Sequence, residues 1–165
     1  MKARRHSIAW ALACAAAFAW NAAGLAMAQG NAPTVPPTCQ SVHMQPGQLY
    51  GQWSLLLWPE DGTRSSPVGT GMAHFERHPE FPGSVRGRLT LNTAAGQNLL
   101  SGDATDGEFQ LDESEDGVAI SAVWYAVVNP ADCGRRLQGT RRPAEGRPVS
   151  EVLLNFELTK VPGWQ

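Results

Sequence analysis

His74, Glu76 and His78 stand two apart in the chain. On a β-strand, residues at that spacing share a face, so two imidazoles and a carboxylate form a set suited to zinc or a similar ion. The residues that follow argue against a cation there. If a hairpin pivots near Phe81, Arg86 lies across from Glu76 and Arg88 across from His74, giving the carboxylate a guanidinium partner and bringing positive charge to the face. The sequence therefore favours cross-strand ion pairs on a solvated face. A second candidate is Asp112-Glu113-Ser114-Glu115-Asp116-Gly117, where oxygen ligands alternate ahead of a glycine as at the start of a calcium loop. The closing bidentate glutamate is missing, because Val123 occupies the twelfth position, and the segment reads as an acidic hairpin tip.

Other chemistry is sparse. There is no Gly-x-Ser-x-Gly elbow and no glycine-rich phosphate loop, and the carboxylates fall in turn segments instead of converging on an apolar cleft. An enzyme is not expected, and no cofactor is called for. Arg135, Arg136, Arg141, Arg142 and Arg147 gather positive charge near the C-terminal end, either to contact an anion or, as favoured here, to balance the acidic tips and cap a barrel end. Cys39 and Cys133 lack a C-x-x-C arrangement and are expected to form one disulfide in an oxidising compartment.

The elements that must position these residues begin after residue 28. Lys2, Arg4 and Arg5 head an Ala-rich apolar run over 8–25, and Ala26-Met27-Ala28 supplies the small-x-small pattern of a cleaved export signal. The protein is expected to be periplasmic or secreted, touching a membrane only through that signal. The signal holds three of the 13 basic residues, against 15 acidic ones in the whole chain, so the rest is net acidic by five. Such a surface does not favour nucleic acid or anionic lipid. Residues 29–48 carry Pro33, Pro36, Pro37 and Pro46 without an apolar period and read as an extended arm pinned at Cys39.

From residue 49 to 165 the chain reads as a single domain in which short runs of period two are broken by Gly, Pro, Asn and Asp. Eight strands are expected, over 50–58, 69–78, 84–92, 97–102, 107–113, 118–128, 134–141 and 150–161. Sequential strands with short connections make an antiparallel up-and-down meander. Closing it into an eight-stranded barrel removes the unpaired edges, and a β-sandwich is the alternative. Expected interior residues are Trp53, Leu55, Leu57, Ala73, Phe75, Leu89, Leu91, Phe109, Leu111, Val118, Ile120, Trp124, Val152, Leu154, Phe156 and Leu158. Gln52, Glu108, Gln110, Asn155 and Glu157 would face outward and are polar, which excludes a lipid-facing barrel.

Gly51-Gln52-Trp53 resembles the G-x-W signature that opens lipocalins, avidins and the small bacterial barrel inhibitors of secreted metalloproteases. The resemblance covers three residues and the strand count. It implies a Trp closing one barrel end beneath a basic residue from a late strand, a part that Arg141 or Arg142 would play. Independently of the resemblance, the aromatic supply of the strands points to a non-enzymatic binding protein that holds a small apolar or amphipathic ligand in the barrel mouth. Trp53, Phe75, Phe109 and Trp124 are then the aromatics available to line the pocket. Two alternative roles are a protein-interaction module, such as a protease inhibitor acting through the N-terminal arm, and an envelope accessory protein.

Overall fold

The computed structural model describes Cys39, residues 44–147 and residues 152–163. The expected export signal and residues 29–38 of the arm lie outside the described residues. Eight strands follow in chain order: β1 Gly51–Pro59, β2 Gly69–Arg77, β3 Ser84–Leu91, β4 Asn98–Thr105, β5 Glu108–Ser114, β6 Ala122–Val128, β7 Arg136–Pro143 and β8 Leu154–Lys160. Each pairs antiparallel with its sequence neighbour, and β8 pairs with β1 from Trp53↔Lys160 to Pro59↔Leu154. The sheet is thus a closed up-and-down barrel and not a sandwich. The β2–β3 register is the one a pivot at Phe81 predicts, with His74 opposite Arg88 and Glu76 opposite Arg86.

The interior is built by alternation, as expected for a sheet with one face in water. Trp53, Leu55 and Leu57 on β1, Ala73 and Phe75 on β2, Phe109 and Leu111 on β5, and Phe156 and Leu158 on β8 are all buried. Interior glycines offset these large residues. Phe75 faces Gly51 on one neighbouring strand and Gly87 on the other, and Phe156 faces Gly139. A barrel of this size has just enough room inside for side chains, and small residues across from these two phenylalanines make space for their rings.

The backbones approach most closely at Gly102 and Gly139. A Cβ at Gly102 would sit 1.9 Å from the Gln110 carbonyl oxygen, and one at Gly139 would sit 1.7 Å from the Tyr125 carbonyl oxygen. Both strands therefore turn an α-hydrogen toward the adjacent strand, an approach closed to every other residue.

Three expected interior residues are on the surface. Val118 is 89% exposed, and Ile120 and Val152 are also exposed. The reason is local: the Asp116 carboxylate accepts from the backbone N–H of Val118 and of Ala119, which holds the chain in a turn and delays β6 until Ala122. The start of β8 is likewise later than expected, at Leu154. Glu157, on the outward register of β8, is nevertheless buried, because Arg64 from the β1–β2 loop folds over it and forms an ion pair.

The N-terminal segment closes the lower end, where the β2–β3, β4–β5 and β6–β7 turns lie. Met44 and Leu49 are buried in the core around a 3-10 turn at Pro46–Gln48. Cys39 is bonded to Cys133, which adopts a left-handed conformation after the 3-10 turn Pro130–Asp132. The bridge spans 94 positions and so ties the arm to the β6–β7 connection.

Two outcomes follow for stability, both read by denaturant unfolding. Gly139→Ala should destabilise by about 1–3 kcal/mol through forced overpacking, whereas Gly83→Ala, where a Cβ meets nothing within 4 Å, should change stability by less than about 0.5 kcal/mol. The Cys39→Ala, Cys133→Ala double variant should lose about 4 kcal/mol, in line with the long loop the bridge closes.

Candidate functional site

The G-x-W tryptophan caps the lower end. Trp53 Nε1 donates to the Leu49 carbonyl at 2.7 Å, and the cation over its ring is Lys160, 5.6 Å from the centroid. Lys160 Nζ also donates to the Gln48 carbonyl at 2.6 Å. Burial, helped by the charge of Arg135, holds the Lys160 ammonium below its ordinary pKa. The late-strand cation is thus present, but on the last strand. Arg141 instead lies 5.7 Å over Trp124, and Arg142 points outward.

Arg141 belongs to a polar cluster inside the upper end. Glu113 is fully buried and accepts from Asn98 Nδ2 at 2.5 Å, Trp124 Nε1 at 2.8 Å, and Arg141 at 2.7 and 3.2 Å. Four charge-assisted bonds satisfy a carboxylate that would otherwise be costly to bury. Glu113 lies within the segment that the sequence presents as an acidic tip, yet it shares the inward face with Phe109 and Leu111, and that parity was the available signal. Beyond Glu113, Ser114 and Asp116 bond within the turn, and Glu115 pairs with Arg147 at 3.0 Å. Asp116 accepts from the Ala119 and Val118 N–H groups and from Ser114 Oγ, which keeps its carboxyl below the usual carboxylate range.

The aromatic candidates sit in the core and touch one another. The Trp53 and Phe75 rings are 6.3 Å apart, Phe75 and Phe109 are 5.8 Å apart, and Trp124 packs edge-on at 4.8 Å against Phe156. None is exposed beyond 1%. On the outer face of β2, Glu76 is engaged by Arg86 at 2.8 Å. His78 Nδ1 accepts from the Glu80 and Phe81 N–H groups, and its ring lies on Phe81. His74 stands opposite Arg88. Among the described residues, no group of three His, Cys, Asp or Glu side chains is placed to hold a metal ion.

A concavity of about 820 Å³ lies on the outer face of β4, β5, β6 and β7. The register arranges its surface in rows. Asp103, Gln110, Tyr125 and Thr140 form one, and Thr105, Glu108, Val127 and Gln138 form the next. Tyr125 is 46% and Val127 66% exposed, two apart on the same strand. Gly102 and Gly139, the positions of closest backbone approach, also line it. Its carboxylates are Asp103, Asp106, Glu108 and Asp112, and neither Lys nor Arg lines it. Asp103 accepts from Ser84.

No protein family and no curated protein matches the chain. Among solved structures, fatty-acid-binding protein 1 of Echinococcus granulosus is similar, at 12% identity and a TM-score of 0.39, covering 70% of this chain and 98% of that one. The barrel assignment stands on this chain's own strand pairing.

The upper cluster generates a test of its own. Glu113→Ala should cost about 3 kcal/mol by stranding Arg141 and Trp124 Nε1, whereas joint replacement by Glu113→Leu and Arg141→Met should cost clearly less. Equal losses in denaturant unfolding would show that the ion pair does not couple the two side chains.

Proposed function

We propose that this chain is an exported, non-enzymatic binding module that engages a partner protein on the outside of its barrel. One observation carries the reading. The interior is occupied by its own side chains, with Trp53, Phe75, Phe109, Trp124 and Phe156 buried and in edge contact, while the described concavity is on the outer face. An exposed tyrosine beside an exposed valine is the type of surface from which protein interfaces draw their anchors.

Export rests on the charged head, apolar run and small-residue cleavage pattern of residues 1–28, and the Cys39–Cys133 bridge is in keeping with an oxidising compartment. A protein outside the reducing cytosol keeps that bridge and with it the closed lower end.

Photo-crosslinking of the full chain in its own host tests this reading. A photo-reactive residue at position 125 should give a defined protein adduct, and one at position 90, exposed on the outer face of β3, should not. Adducts at position 90 alone, or none at position 125, would discard the outer face of β4–β7 as the binding surface.

A further inference from the structure

We infer that the concave outer face of β4–β7 receives an extended cationic segment of a partner protein, with apolar side chains seated on Tyr125 and Val127 and Lys or Arg groups on the carboxylates beside them. This rests on the proposed binding role and names the partner's chemistry.

The closed barrel first restricts how a segment can bind. β1 pairs with β8 and every other strand has two partners, so the described strands offer no backbone edge to which a peptide could add. Recognition must then run through side chains. The register supplies a lattice for it: outward residues along a strand recur every two positions, roughly 7 Å apart, and neighbouring strands lie about 4.8 Å apart. An extended segment has the same two-residue period. Side chains two apart on such a segment can therefore lie over Val127, Tyr125 and Val123 along β6, with Glu108 on β5 beside the first of these and Asp112 beside the last, within reach of a flanking Lys or Arg.

Charge selects the sign of the partner. Asp106, Glu108 and Asp112 make no ion pair among the described residues, and Asp103 is held by the neutral hydroxyl of Ser84. The nearest cations along the register are at the edges. Arg86, opposite Ser101, is committed to Glu76, and Arg142 is opposite Val123. A partner bearing carboxylates would meet uncompensated negative charge across the whole face, and a cationic one would be steered to it. Apolar anchors alone would leave the carboxylates desolvated and unpaired, so the two demands fall on one ligand.

The crosslinking strain with the photo-reactive residue at position 125 carries the test further. The expected adduct joins a peptide in which Lys or Arg flank apolar residues. Its yield should fall about fivefold or more in the Asp106→Asn, Glu108→Gln, Asp112→Asn variant, and in extracts raised to about 0.5 M salt. Asn keeps the left-handed backbone at position 106, where φ is +52°. A circular-dichroism spectrum identical to that of the parent confirms that this variant is folded. A salt- and charge-independent adduct, or one on an acidic or uncharged peptide, would leave the outer-face reading standing and overturn the cationic partner. The absence of any adduct at position 125 would overturn both.

Discussion

A closed ring of eight strands has a fixed internal volume, and the way this chain fills that volume governs everything else in the molecule. Phe75 has Gly51 and Gly87 for neighbours across the strands, and Phe156 has Gly139. These two rings thus sit against bare backbone, Phe109 sits against Ala104 and Ala126, and the resulting core is made of protein. Where the fit is tightest, at Gly102 and Gly139, even a methyl group has nowhere to go.

The two ends are finished differently. Below, Trp53 is pinned by hydrogen bonding to Leu49 and covered by Lys160, and the arm that supplies Met44 is held by the bridge to Cys133. Above, Glu113, Arg141, Asn98 and Trp124 form a neutral, fully bonded cluster. Such networks fix geometry strongly because each member would be costly to leave unpaired. Both ends look inward, which leaves the outer sheet faces for contact with other molecules.

Much of the barrel was legible in the sequence because period-two alternation and turn residues report strand number and facing directly. The Phe81 pivot even fixed which residues oppose one another on β2 and β3. The misread residues have physical causes. Val118 and Ile120 continue the apolar pattern of β6, but the Asp116 side chain captures the local N–H groups before a strand can form. Glu157 alternates correctly to the outside, yet a loop some 90 residues away covers it, and no local pattern encodes that path. Glu113 was hidden by its acidic neighbours although its parity with Leu111 placed it inside. The outer concavity depends on the register of four strands at once, so no single segment announces it.

The interior of this barrel is filled by its own side chains and has no room for a guest. Methyl resonances of Leu55, Leu89, Leu111 and Leu137, all buried in the core, report on it directly when a long-chain fatty acid is titrated into the purified protein. With a filled interior, these signals stay in place at every concentration below micelle formation. Saturable shifts of the interior methyl groups would show a ligand entering the barrel and would contradict it.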